Sequence, residues 1–341
     1  MKVLVTGGCG FIGSWVCEYY ARKGIEAIAY DNMTKFELKR TGYNLEGARS
    51  YNWNYLKKLG VRLIKADVRN KEELFEYAKV CNFIVHTAAQ PAMTLSMENP
   101  ELDFSTNVLG TINVLEAAKR FNIPAVSCAT IHVYGNRINL ELTERKKRYI
   151  RDPQAINESY PTLTGTITPL HASKACADIY VRTYIDTYKV KAASFRLTGL
   201  YGPRQFGGED HGWVANFCIR AMMDLPISVY GTGKQLRDIL YAEDVVRAFD
   251  AFLRHPKPGI YNIGGGRQSM LSLLECIELI SAILKKKLEI RFDKERLGDL
   301  RYFVCDIRKA KKELGWFPKV KPKEGIIKLM EWIKENKNLF R

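Results

Sequence analysis

The sequence predicts an α/β fold, a doubly wound parallel sheet with a smaller mixed α/β lobe attached. Three observations point there. Short β-branched runs alternate with helical patterns through the first half of the chain. A glycine-rich turn joins the first run to the first helix. Acidic residues close the next two runs.

Taken in order, Lys2–Thr6 (KVLVT) reads as the first strand, and Phe11–Lys23 carries apolar residues at helical spacing. Glu26–Tyr30 (EAIAY) is the second strand and ends at Asp31; Arg62–Ala66 (RLIKA) is the third and ends at Asp67. Asn82–His86 (NFIVH) is the fourth strand, Thr111–Phe121 a helix, Ala125–Ala129 the fifth strand and Pro169–Tyr188 a long helix. The second half is less regular, with turns around Lys257–Gly266 and Lys319–Glu324 and a last helix over Glu324–Asn336.

Composition narrows the class. At 341 residues and 46% hydrophobic content the chain can bury a full sheet and a second lobe. No run of eighteen apolar residues exists, so no membrane span is expected. The opening MKVLVTGGCG lacks the features of a secretory signal, and a cytoplasmic location is expected. The eight cysteines are scattered without a C-x-x-C pair, and no zinc or other metal site is readable. The net charge of +16 invites a nucleic-acid reading. However, the basic residues are interleaved with acids, and the runs Lys285-Lys286-Lys287 and Arg145-Lys146-Lys147-Arg148 lack stacking aromatics. No nucleic-acid partner is expected. A basic field instead suits anionic small ligands.

Gly7-Gly8-Cys9-Gly10-Phe11-Ile12-Gly13 follows the first strand and opens the first helix, the context a dinucleotide-binding turn requires. Gly7 and Gly10 permit the turn and a close approach of backbone to a pyrophosphate. Gly13 lets the helix pack against the strand. The helix N-terminus supplies N–H groups and a positive dipole end for phosphate. Asp31 lies 18 residues past Gly13, where a carboxylate bonds the adenosine ribose. It would repel a 2′-phosphate, so the cofactor expected is NAD rather than NADP. Asp67 and Val68, and Ala88, Ala89 and Gln90 after the fourth strand, complete one crevice at the carboxyl ends of the strands. The expected division puts residues 1–175 in this Rossmann-type domain, with segments near 190–205 and 236–262 returning to it. Residues 176–341 form mainly the substrate lobe.

These motifs carry a family resemblance. TGGCGFIG, DNMT, ADVRN, HTAAQ, the segment NVLGTINVLEAA from Asn107, T-x-x-V-Y-G from Thr130 to Gly135, and RDILYAEDVV resemble the extended short-chain dehydrogenase/reductases of the NAD-dependent epimerase/dehydratase type. More narrowly, Ala92–Phe104, Tyr201–Phe217, Gly231–Val245 and Asp299–Trp316 resemble the CDP-tyvelose (CDP-paratose) 2-epimerases. The resemblance covers nearly the whole chain. It implies bound NAD, with Asn32 and Asn107 added to the residues around it. It also implies oxidation of a sugar carbinol to a ketone and return of the hydride to the opposite face.

The same resemblance implies a Tyr and a Lys spaced i, i+4 on one helix and a Ser or Thr on the neighbouring strand. The Tyr takes the hydroxyl proton, and the Lys one turn on lowers the Tyr pKa and grips the nicotinamide ribose. Thr130 matches the Ser/Thr and Lys174 the Lys, but the Tyr position holds Leu170. Leucine accepts no proton. His171 is the candidate stand-in as general base, although an ideal helix points it about 100° from the Leu170 direction. His132 and Tyr160 are further candidates, as is a water held by Thr130.

For the substrate, the resemblance implies that Thr94, Thr130, Arg204 and Gln205 line the sugar pocket. It implies Arg237 and Arg301 on the nucleotide diphosphate, which a planar guanidinium suits. Asp244 reads as a helix cap rather than a catalyst. The expected activity is therefore 2-epimerisation of a CDP-linked deoxyhexose. Two alternatives stand beside it: a 4-epimerase or related enzyme on a UDP- or other nucleotide sugar, and a silent nucleotide-sugar and NAD binder that has lost catalysis with its Tyr. Ile131 and His132 after Thr130, where a dehydratase wants an acidic pair, argue against dehydration. The resemblance also implies a homodimer formed through the Asn107–Phe121 and Pro169–Tyr188 regions.

Overall fold

The computed structural model describes residues 1–341. Seven strands form the central sheet: β1 (Lys2–Thr6), β2 (Glu26–Asp31), β3 (Arg62–Lys65), β4 (Phe83–His86), β5 (Ala125–Thr130), β6 (Ala192–Leu197) and β7 (Gly259–Ile263). Their order is β7-β6-β5-β4-β1-β2-β3, and every pairing is parallel. The order reverses between β1 and β4, which opens the crevice where a doubly wound sheet binds ligands. The register sets Thr6 beside Tyr30 and His86, so three strand ends reach that crevice together.

Sheets with both faces covered carry near-continuous apolar strands. Here Val3, Leu4 and Val5 in β1 and Phe83, Ile84 and Val85 in β4 have no exposed surface. Val3, Val5, Phe83 and Val85 face one helical layer, in which α1 (Phe11–Arg22) packs against the helix Ala242–Arg254. Leu4 and Ile84 face the other, which holds α2 (Gly110–Phe121) and α3 (Pro169–Tyr188). A separate core under the second lobe gathers Phe206, Phe217, Ile277 and Trp332.

The smaller lobe is built on a four-stranded sheet. Leu236–Tyr241 pairs with Gly199–Tyr201, Met270–Ser272 and Tyr302–Phe303. Two boundaries of the expected division shift accordingly. A cut at residue 175 would sever α3, which packs on β5 and β6 along its length. Within 236–262 the strand Leu236–Tyr241 joins the smaller sheet, while the following helix and β7 join the central sheet.

No helix is long and apolar enough to cross a membrane. All eight cysteines are unpaired, and no group of three or more His, Cys, Asp or Glu is placed to hold a metal ion.

Candidate active site

A single cavity of about 860 Å³ runs from the end of β1 and β2, past the end of β5 and the start of α3, into the smaller lobe. Its first end is the glycine turn. Gly7 adopts φ +68°, and a Cβ there would lie 2.6 Å from the Ala88 nitrogen. A Cβ on Gly13 would lie 2.1 Å from the Gly7 oxygen, so only glycine lets α1 start this close to the turn. Asp31 closes β2, and its carboxylate accepts hydrogen bonds from the Cys9 N–H (2.9 Å) and the Met33 N–H (2.7 Å). Each carboxylate oxygen keeps a second acceptor site, which fits a ribose diol. The helix N-terminus, the glycines and this carboxylate therefore fit a dinucleotide. Gly7, Gly10, Phe11, Ile12, Gly13, Asp31, Asn32, Val68, Ala88, Ala89, Gln90 and Lys174 all line the cavity.

Asp67 and Asn107 do not reach its wall. Asp67 accepts from Asn32 Nδ2 (3.0 Å) and pairs with Arg69 (2.7 Å). Burial alone would raise its pKa, but these bonds outweigh it and hold the carboxyl near 2. Asn107 is buried behind the loop: its Oδ1 accepts from the Gln90 N–H (2.9 Å), and its Nδ2 donates to Asp103 (3.1 Å) and Ser173 (3.1 Å). Both act on cavity residues through their bonds rather than by facing a ligand.

The middle of the cavity holds Thr130, His132, Leu170 and Lys174. α3 begins at Pro169, so Leu170 and Lys174 share one face a turn apart. Leu170 is 8% exposed and forms wall where the family resemblance places a Tyr. Lys174 Nζ donates to the Cys128 oxygen at 3.3 Å. Burial pushes the Lys174 pKa down, against the pull of Cys128 and Asp103.

The expectation that His171 stands in as general base meets a contrary geometry. His171 does not line the cavity, and both its ring nitrogens are engaged. Nδ1 accepts from the Thr168 N–H at 3.2 Å, and Nε2 faces His132 Nδ1 at 3.1 Å. Its position in the first turn of α3 directs the ring back onto the helix N-cap. Tyr160 is also away from the cavity; its hydroxyl donates to Glu141 (2.5 Å). Of the alternatives, His132 is the one at the wall.

The far end belongs to the smaller lobe. Arg237 is 8% exposed, lines the cavity, and bonds the Leu236 and Leu300 oxygens and Asp299 (3.3 Å). Gln205 lines it and donates to the Leu200 oxygen (3.1 Å). Three substrate expectations fare differently. Arg204 borders the cavity, but its guanidinium is committed to Glu18 (2.7 Å) and sandwiched between Trp15 and Tyr55. A positive φ of 71° turns it that way. Arg301 is off the cavity, held at two points by Glu295 (2.8 and 2.6 Å). Thr94 lines a small adjoining polar recess and donates to Asp210 (2.6 Å). The sequence reading missed Arg296, which lines both spaces and stacks 3.8 Å from the Tyr230 ring centre. Nothing in the local string DKERLGD marks it. Asp244, read as a cap, instead accepts from the Lys319 and Val320 N–H groups (2.8 and 2.9 Å) and anchors the C-terminal segment.

A dinucleotide-binding crevice continuous with an arginine-bearing pocket, with Thr and Lys between, defines a nucleotide-sugar oxidoreductase-like site. Residues 3–264 match the profile described as "NAD dependent epimerase/dehydratase family", and the chain belongs to that family. It is an enzyme of the epimerase kind, and its cofactor is NAD. It is 34% identical to the CDP-paratose 2-epimerase of Salmonella typhi over 97% of this chain and 99% of the relative. It is 30% identical to a putative UDP-glucose 4-epimerase of Methanocaldococcus jannaschii over 98% of this chain and 99% of that one. Among solved structures, a Thermus thermophilus UDP-glucose 4-epimerase in complex with NAD aligns with a TM-score of 0.78 at 30% identity, covering 98% and 99% of the two chains. A Thermotoga maritima UDP-glucose 4-epimerase with UDP-glucose aligns at 0.82 and 26% identity, covering 99% and 100%.

Proposed function

We propose that the protein is a redox-neutral epimerase that inverts C2 of a CDP-linked deoxyhexose through a transient keto sugar. The observation that carries this reading is the continuity of one cavity from Asp31 and the glycine turn, past Thr130 and Lys174, to Arg237 and Arg296. The choice of C2 and of a cytidine nucleotide is supported by the resemblance to the Salmonella typhi enzyme. NAD supplies a hydride acceptor that later acts as donor.

The chain's own residues do the rest. Gly7, Gly10, Gly13 and Asp31 hold the dinucleotide, and Arg237 holds the diphosphate. The Thr130 hydroxyl holds the reacting oxygen. As the C–H hydride leaves, the carbinol O–H bond breaks and the C=O bond forms. The proton passes to the Lys174 amine, whose burial makes the neutral form accessible. Return of hydride to the opposite face takes the same proton back.

A 4-epimerase acting on a UDP-sugar is the second reading, favoured by the UDP-glucose enzymes among the relatives and structures. A silent binder is the third, favoured by Leu170 on the cavity wall. The protein would work as a homodimer through α2 and α3; exposed Ile179, Tyr180 and Tyr188 on α3 support this, and a monomer by light scattering would refute it. A cytoplasmic setting is supported by eight unpaired thiols, which suit a reducing compartment. Proton NMR of the protein with NAD and, separately, CDP-paratose, UDP-glucose and UDP-galactose tests the function. A new anomeric signal from CDP-paratose without net NADH supports the first reading; one from a UDP-sugar replaces it with the second.

A further inference from the structure

Three groups form a chain that ends at the cavity. The backbone N–H of Thr168 meets His171 Nδ1 at 3.2 Å, and His171 Nε2 meets His132 Nδ1 at 3.1 Å. The two ring planes lie within 15° of parallel with centroids 5.0 Å apart. His132 lines the cavity, and its ring bonds the protein through Nδ1 alone.

The proton positions follow from one fact: a backbone N–H can only donate. His171 Nδ1 must therefore be an acceptor, which places the His171 proton on Nε2. That N–H donates to His132 Nδ1, which must be an acceptor in turn. A neutral His132 then carries its proton on Nε2, the nitrogen without a protein partner. The reverse tautomer of His132 would put two hydrogens between the two rings or, if His171 changed tautomer with it, between Thr168 and His171. The imidazolium form of either ring would do the same at one of the two contacts. Burial, and for His132 the neighbouring Arg237, also disfavour the charged rings. The facing nitrogens exclude a shared metal, since they point at each other rather than at a common centre.

The placement gives this donor a task. The backbone N–H of His132 donates to Thr130 Oγ1 at 3.3 Å, which fixes the His132 main chain beside the residue proposed to hold the reacting oxygen. His171 directly follows Leu170, so the pair sits beside the wall position where no hydroxyl is available. A sugar ketone needs a donor before it accepts a hydride, and a fixed neutral N–H in a buried site supplies one without reorganisation.

We propose that His132 is a catalytic hydrogen-bond donor to the reacting sugar oxygen, held as its Nε2–H tautomer by His171 and, through it, by the Thr168 backbone. His171 is thereby a positioning residue. The proposal rests on the epimerase reading for its kinetic part alone.

The test uses the full chain with NAD, labelled with ¹⁵N-histidine. Long-range proton–nitrogen NMR separates the tautomers, and His132→Leu assigns the signals. Both rings should show protonated Nε2 and unprotonated Nδ1 at neutral pH. Saturation with CDP-paratose or UDP-glucose should shift the His132 Nε2 resonance and leave His171 Nδ1 in place. A protonated Nδ1 on His132, an imidazolium, or an unmoved Nε2 in the saturated complex overturns the proposal. In turnover, His132→Leu should lose about 10²–10³-fold in kcat, the usual loss for one donor to a developing oxyanion. His132→Gln, which restores an N–H near the same place, should recover most of it, with KM for the sugar little changed in both. Equal turnover of the Leu variant and the parent overturns the proposal. If the parent turns over no sugar at all, the epimerase reading falls, and the tautomer and ligand-shift measurements still decide whether His132 is the donor.

Discussion

Substituting Gly13 by Ala tests the cofactor site at its tightest point. The added Cβ would lie 2.1 Å from the Gly7 oxygen and 2.8 Å from both the Gly7 carbonyl carbon and Gly8 Cα. All three are backbone atoms, so no side chain can swing away. Reaching a 3.0 Å separation from the oxygen requires the turn and the helix to part by about 0.9 Å. That opening strains the Gly10 N–H bond to the Gly7 oxygen (2.9 Å) and the Ser14 N–H bond to the Gly10 oxygen (3.1 Å). Overpacking of this kind costs about 1–3 kcal/mol. Taken from binding, it weakens NAD about 10–100-fold. Fluorescence titration of nucleotide-stripped protein with NADH measures this directly. Gly24→Ala is the control: it also has a positive φ (+70°), but nothing lies within 4 Å of its Cβ. It should lower the melting temperature slightly and leave NADH affinity alone. A Gly13→Ala protein that binds NADH within about twofold of the parent would refute the assignment of this turn to the pyrophosphate.

Three further outcomes are expected. Leu170→Tyr should raise kcat about 10²-fold, because the new hydroxyl joins the cavity one turn from Lys174; an equal or slower variant that still binds NAD would show that the wall position has no part in proton transfer. Arg237→Met should raise KM for the nucleotide sugar at least about tenfold with kcat little changed; an unchanged KM, measured by NMR progress curves, removes Arg237 from the diphosphate. Acid should destabilise the fold before its carboxylates titrate. Burial lowers the pKa of His86 to about 3 and of His171 to about 4. The unfolded chain binds protons at these histidines below about pH 6.5 while the folded chain does not, so the stability is whole above that pH and is lost as pH falls toward 4. At pH 5 this amounts to about 2 kcal/mol per histidine. A melting temperature at pH 5 equal to that at pH 7.5 would contradict it.

Much of this was readable from the chain because the central sheet is buried on both faces. A strand such as Lys2–Thr6 must be apolar through its middle, as Val3-Leu4-Val5 is, and it is followed at once by glycines that no other residue could replace at Gly7 and Gly13. The smaller sheet was not readable. Met270–Ser272 and Tyr302–Phe303 are three and two residues long, too short for periodicity, and only their pairing with Leu236–Tyr241 makes them strands. Side-chain direction was the other gap. Arg204 was expected on the substrate, but its left-handed backbone and the carboxylate of Glu18, 186 positions earlier, take it to α1. His171 was the first candidate to stand in for the missing Tyr; its place in the first turn of α3 engages it with the N-cap and leaves the cavity position to His132. The departure at Leu170 was visible in the sequence, whereas what surrounds it required three elements to meet.

In the proposed cycle one cavity oxidises a sugar carbon and returns the same hydride to its other face. Incubation with NAD and CDP-paratose in deuterium oxide, followed by proton and deuterium NMR of the product, tests it most directly. Hydride return predicts an epimerised sugar with hydrogen, not deuterium, on the inverted carbon, and no accumulation of NADH. Deuterium on that carbon would mean that a proton was removed to solvent and replaced, and would contradict hydride return.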